Sequence, residues 1–330
     1  MHKVDLAQWK DRLIQGDKLA LAKVITLIES QKAEDKATSH ELFSQLTPKD
    51  SKKISYRIGF TGTPGVGKSS LIEELGKLLI NQGFRIAVLT VDPSSSISHG
   101  SILGDKSRMP VLSNSDHAYV RSSPASDSLG GIGSATYTTI QLLEVIGYDY
   151  IIIESVGIGQ SETDIVNLCD LTICLIQPGS GDELQAIKRG IMEWADLFVI
   201  HKADGELKNQ AKIALSHLKD VQGLRIGDDR VLPVEWLSTS IYEPSSIENL
   251  LNYINKFFNT LNLDNKLLTI RREKELRHFD RIWLHRLGKY IQEDPILSEK
   301  IKWLKGELQN GSIHLEDALD KLIKVIFVAR

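Results

Sequence analysis

Gly62-Thr63-Pro64-Gly65-Val66-Gly67-Lys68-Ser69 is the stretch on which the reading of this chain turns. Several adjacent phosphate oxygens need many donors at once, and backbone N–H groups supply them only where the chain can wrap closely. Gly62, Gly65 and Gly67 permit that wrap. Lys68 adds positive charge for the outer phosphates, the Ser69 hydroxyl is a ligand for Mg2+, and Val66 and Ser70 complete the stretch expected to contact the nucleotide. The apolar run before it, Ile58-Gly59-Phe60, reads as a strand. A helix is expected from near Lys68, so that its N-terminus also faces the anion. Strand, glycine-rich loop and helix in that order predict a P-loop nucleotide hydrolase.

Outward from the loop, apolar runs at 58–60, 86–91, 150–153, 171–176, 197–200 and 231–237 alternate with helical patterns. Such runs read as strands buried on both faces, so the expected fold class is α/β, a P-loop NTPase with a mostly parallel, doubly wound sheet. Pro233 suits an edge position for the last run. Residues 94–133 carry little periodicity and much Ser and Gly, and read as one long functional or mobile loop. Helical extensions flank this domain. Residues 1–50 form the N-terminal one, broken at Gly16-Asp17, with Leu21, Val24, Ile25 and Ile28 on one face. The polar stretch 47–53 reads as a linker, which puts the P-loop domain at 51–262 and a C-terminal arm at 263–330. In that arm Leu276, Phe279, Trp283, Leu287 and Tyr290 follow heptad-like spacing among basic residues. Three readings stand: a helix packed on its own domain, a dimer-forming arm, or a membrane-surface helix.

Two further motifs sit at strand ends. His201-Lys202-Ala203-Asp204 is similar to the guanine-reading Asn-Lys-x-Asp of GTPases. A carboxylate at Asp204 accepts from both N1–H and the exocyclic amine of guanine, whereas adenine offers no matching pair. Lys202 is expected to lay its stem along the base. His201 replaces the Asn, and a ring N–H there could donate to the base N7, in which case affinity would vary with pH in the histidine range. Glu154-Ser155-Val156-Gly157 is the other motif: Glu154 is expected in the Mg2+ shell, with the Gly157 N–H turned to the γ-phosphate. Asp92 ends the preceding strand and either ligates Mg2+ through water or orients the attacking water. Asp105, Lys106 and Arg108 are switch candidates in the long loop, with a solvated charge cluster as the plain alternative. The expected catalytic set is Lys68, Asp92, Asp105 and Glu154, and the metal set is Ser69, Asp92 and Glu154.

Composition narrows the classes. The chain has 330 residues, 42% of them hydrophobic and 25% charged, with a net charge of -3. That balance argues against nucleic acid as a partner. Cys169 and Cys174 lie too far apart along a strand for a disulfide and read as buried thiols of a reducing compartment. The nine histidines form no metal-ligand spacing. No signal peptide or membrane span is recognisable, so a cytoplasmic protein is expected.

Together these residues resemble the MeaB/ArgK family of P-loop GTPases, the methylmalonyl-CoA mutase-associated GTPases. Val91-Asp92-Pro93-Ser94-Ser95 with residues 100–109 resembles the family's first switch, and 154–162 its second. Residues 178–188 resemble an extra switch loop of the family, and 22–29 its first conserved helix. Ser240 and Ile241 are carried over as the loop that closes over the base. The resemblance implies GTP and GDP as bound nucleotides, a homodimer, and a chaperone role toward an adenosylcobalamin-dependent acyl-CoA mutase. Other readings use the same loop. A P-loop kinase linked to amino-acid transport needs an acceptor pocket, a metal-insertion GTPase usually needs a Cys/His cluster, and a binding module would hold GTP without turnover.

Overall fold

The computed structural model describes residues 6–30, 32–46, 54–92, 108–124, 134–155, 161–179, 195–222, 232–263 and 265–328. Seven strands form one sheet: β1 (Tyr56–Gly62), β2 (Ile86–Asp92), β3 (Ala118–Pro124), β4 (Tyr150–Ser155), β5 (Leu171–Ile176), β6 (Leu197–His201) and β7 (Glu235–Thr239). Their order is β3-β2-β4-β1-β5-β6-β7 and every pairing is parallel. From β1 the chain builds one flank through β2, β3 and β4, then crosses β1 to build the other. The crevice at the carboxyl ends of the strands therefore opens where the winding changes sides, at the end of β1.

Alternation along β2 shows why both faces must be covered. Ile86 and Val88 belong to a core shared with Leu71, Leu75 and Leu79 of the helix Lys68–Asn81 and with Leu250, Ile254 and Phe257 of the helix Pro244–Leu263. Ala87, Leu89 and Val91 face the other way, into a core shared with Leu21, Val24, Ile25 and Leu42. Those four residues come from the N-terminal helices Lys18–Glu29 and Ala33–Gln45, which thus cover the sheet directly. The break at Gly16-Asp17 is real. Gly16 has φ 81°, and the Asp17 carboxylate caps the next helix by accepting from Leu19 N and Ala20 N.

Part of the stretch expected to be loop is ordered. Within 94–133, residues Pro110–Asn114 are helical and Ala118–Pro124 form β3, the edge strand beside β2. The strand carries no long apolar run because Arg121 and Ser123 follow buried Tyr119 on one of its faces. Arg121 donates to Ala22 O and to the Glu29 carboxylate, and the Ser123 hydroxyl donates to the same carboxylate. The short helix is anchored from elsewhere too: buried Glu73 accepts from Val111 N at 2.7 Å, occupying an amide its own backbone leaves open. At the other edge Pro233 precedes β7, as an edge strand allows.

The first 271 residues form one compact unit and residues 272–330 a second. Arg271 closes the first: its guanidinium donates to the Asp170 carboxylate and to Ser55 O and meets Glu144, which also takes a bidentate pair from Arg57. In the helix Lys266–Glu293, Leu276, Phe279, Trp283, Leu287 and Tyr290 are all exposed. Cys169 and Cys174 are both buried, as expected, and no disulfide joins them. Among the described residues, no helix is long and apolar enough to cross a membrane.

Candidate functional site

The loop after β1 is built around two glycines that admit no side chain. Gly62 has φ 143°, and a Cβ there would lie 2.5 Å from the Leu175 carbonyl oxygen. Gly67 has φ 103°, and a Cβ there would lie 2.7 Å from Cδ2 of His201. Left-handed backbone and absent space together make glycine the required residue at both positions. Val66 turns its side chain into the core, so only its backbone is available to a ligand.

Lys68 opens the helix Lys68–Asn81, as expected. Its ammonium donates to Gly62 O at 2.7 Å and Thr63 O at 3.0 Å, which folds it back across the loop. Ser69 Oγ donates to Glu154 Oε1 at 2.8 Å, so the two residues expected to share a cation already meet. A cleft of about 540 Å³ opens over them, lined also by Gly65, Ser70, Thr90, Arg108 and Lys202. Asp92 ends β2, one residue past Val91, which lines the same cleft. Arg108, foreseen as a switch residue, is exposed at its wall. Asp105, Lys106 and Gly157 lie outside the described residues, as do residues 180–188 of the extra loop.

The His201-Lys202-Ala203-Asp204 stretch lies against the phosphate loop. Lys202 takes φ 59°, a left-handed conformation rare outside glycine, and its ammonium donates to Gly65 O at 2.7 Å and to Gln177 Oε1 at 3.1 Å. Ala203 N donates to Thr239 O, and Leu207 N donates to Asp204 O, which turns the chain after Asp204. Asp204 is half-buried. At the end of β7 the Ser240 hydroxyl accepts from Tyr242 N within its own turn, and Ile241 is half-buried beside it.

Thr239 was not singled out by the sequence. It pairs in register with His201 across β6 and β7, and its Oγ1 lies 2.8 Å from His201 Nδ1. The only clue available beforehand was its place in the stretch 238–242, read as loosely similar to the loop that closes over the base. Gln177, one residue beyond β5, gave no motif signal either.

Burial pushes the His201 pKa down to about 4, with the Lys202 charge adding to the effect and Asp204 and the Thr239 backbone opposing it. The ring is therefore neutral at physiological pH, which corrects the idea that its protonation tunes affinity in the histidine range. A pH effect on stability is expected instead. Well above pH 6.5 neither the folded nor the unfolded chain protonates this ring, and its neutral contacts are fully kept. As pH falls from 6.5 toward 4 the unfolded chain takes up a proton that the folded one refuses, so stability is lost. By pH 5 the loss attributable to His201 is about 2 kcal/mol. Urea unfolding at pH 7 and pH 5 checks this. His201→Asn should shrink the difference between the two pH values by that amount, and an unchanged difference means the ring is not held neutral.

Comparison with known proteins agrees with this geometry. Residues 21–295 match the family described as methylmalonyl Co-A mutase-associated GTPase MeaB. A "Methylmalonic aciduria type A homolog, mitochondrial" of Caenorhabditis elegans is 36% identical over 328 residues, covering 96% of this chain and 81% of that one. "GTPase ArgK" of Escherichia coli is 38% identical over 280 residues, covering 84% of this chain and 83% of its own. The crystal structure of a "LAO/AO transport system kinase" superposes with a TM-score of 0.77 at 27% identity, covering 99% of both chains. With Lys68, Ser69, Glu154 and Lys202 gathered around one cleft, this chain belongs to the family of methylmalonyl Co-A mutase-associated GTPases, MeaB.

Proposed function

We propose that this GTPase hydrolyses GTP to GDP and phosphate in a Mg2+-dependent reaction, and that its nucleotide state governs a chaperone-like complex with an adenosylcobalamin-dependent acyl-CoA mutase. The observation that carries the chemical half is the contact of Ser69 Oγ with Glu154 Oε1 beside the buried Lys68 ammonium. An alcohol and a carboxylate side by side are hard oxygen donors, and Mg2+ usually takes one or two such ligands and completes its shell with phosphate and water. This fits the finding that, among the described residues, no group of three or more His, Cys, Asp or Glu could form a protein-only cage. Ser69 and Glu154, with Asp92 at the end of β2, would hold the ion, which would neutralise charge on the outer phosphates.

The remaining roles rest on the motifs and on the family resemblance. Lys68 supplies fixed positive charge at the transferring phosphoryl group, and the glycines of the loop give backbone N–H donors. Asp204 reads the base, while Ser240 and Ile241 close over it. Asp105 and Gly157 act from the switch segments. A cytoplasmic, reducing setting suits two buried cysteines that form no disulfide. The exposed seam of Leu276, Phe279, Trp283, Leu287 and Tyr290 supports a homodimer through the C-terminal arm.

The partner half rests on the family's description as methylmalonyl Co-A mutase-associated. Loops that contact a γ-phosphate are ordered by it and released on hydrolysis, which makes a partner-facing switch of them. Mixing the protein with the mutase of the same cell is expected to give a complex whose affinity depends on whether GDP or a GTP analogue is bound, and to change GTP turnover. No complex in any nucleotide state, together with unchanged turnover, overturns the proposal.

A further inference from the structure

His201 stands where guanine-reading motifs carry Asn, and its surroundings give it a different task. The residue is 2% exposed. Nδ1 faces the Thr239 hydroxyl at 2.8 Å, at the end of β7. The opposite edge, Cδ2 and Nε2, lies against Gly67, where a Cβ would come within 2.7 Å and 3.0 Å of those two atoms. One ring nitrogen is thus committed to Thr239, and the opposite edge packs close to the Gly67 backbone. A hydroxyl both donates and accepts, so the Thr239 contact forms with either neutral tautomer. The neighbouring Lys202 holds Gly65 O by its ammonium. The last residue of β6 and the one after it therefore meet two glycines of the phosphate loop, the first by packing and the second by a hydrogen bond.

We infer that His201 is a positioning residue, a strut that ties the end of β7 to Gly67 of the phosphate loop, and that it does not read the base at N7. On this view Thr239 is the second half of the strut, and guanine is distinguished by Asp204 without help from His201. An imidazole fits the space because Gly67 offers no side chain; its flat edge replaces a Cβ that cannot be there. The inference rests on the proposed placement of the guanine nucleotide in this cleft.

Affinities for GDP and for 7-deaza-GDP, in which N7 is replaced by C–H, separate the two roles. A donor aimed at N7 would be left buried and unsatisfied by the analogue, which costs at least about fivefold in affinity. The expected ratio for the natural protein is instead close to one. Thr239→Val is expected to weaken both diphosphates by the same factor, about fivefold, because it removes one hydrogen bond from the strut. Thr239→Ser should restore binding, since the hydroxyl returns while the methyl group does not. A penalty of about fivefold or more for 7-deaza-GDP in the natural protein overturns the inference while leaving the site assignment intact. Thr239→Val with unchanged affinity for both ligands, or loss that Thr239→Ser does not restore, overturns it as well. Failure of GDP itself to bind refutes the placement of the nucleotide, and the inference with it.

Discussion

Lys68→Ala is expected to lower the rate of GTP hydrolysis by about 10³-fold or more and to leave the sheet and its helices folded. The ammonium lies 2.7 Å from Gly62 O and 3.0 Å from Thr63 O, so the loop itself holds it where the proposed site would place the outer phosphates. Phosphoryl transfer offers the protein little covalent chemistry, and positioning with electrostatic stabilisation supplies most of the acceleration. A fixed charge that interacts more strongly with the transition state than with bound GTP lowers kcat more than it lowers affinity when removed. The fold depends on this side chain much less. The glycine-bounded turn is set by Gly62 and Gly67, and the helix after it buries Leu71, Leu75 and Leu79. Phosphate release at saturating GTP gives the rate, and the thermal midpoint gives the fold. Turnover in the variant within tenfold of the parent, with the fold intact, refutes the assignment of this loop to the phosphates.

The phosphate loop could be read directly because its geometry leaves few alternatives. A left-handed residue packed against a carbonyl, as at Gly62, has to be glycine, and the sequence records that need. Strands buried on both faces were equally readable, since β2, β4, β5 and β6 must be apolar at successive positions to serve a core on each side, β5 and β6 sharing their second one with Trp236. The edge strand β3 escaped for the opposite reason. Its Arg121 and Ser123 are matched to Glu29, a residue about a hundred positions earlier, and no local pattern announces such a partner. The helix Pro110–Asn114 was hidden in the same way, because the group that satisfies its first amides is Glu73.

His201 shows the same limit inside the site. The motif it belongs to was recognisable, but the direction of its ring was not. That direction is set by Thr239 on the neighbouring strand and by the missing Cβ of Gly67, neither of which is local in sequence. A reading confined to the tetrapeptide makes His201 a donor to the base. Its tertiary neighbours make it part of the scaffold that joins the base-reading loop to the phosphate loop.

With His201 in the scaffold, base discrimination falls on Asp204, and Asp204→Asn should change the base preference rather than the fold. The carboxylate makes no capping hydrogen bond to the turn Gly205–Leu207, whose first bond runs from Leu207 N to the Asp204 carbonyl. Ala203 N is held by Thr239 O, so the backbone on either side of Asp204 is fixed without its side chain. An isosteric amide should therefore occupy the same position. Guanine offers N1–H and an exocyclic amine, two donors that suit a carboxylate; xanthine offers N1–H and a carbonyl, which suit an amide that accepts with one end and donates with the other. Sites built to pair with a substrate's polar groups reject the wrong ligand strongly, because the site's own groups are then left unpaired. The ratio of kcat/KM for xanthosine triphosphate over GTP is expected to rise on the order of 10³-fold in the variant. Competition kinetics with the two nucleotides measure that ratio in both proteins. An equal ratio in parent and variant would mean that the base is read elsewhere, since no other change in Asp204 could leave two opposite donor patterns equally served.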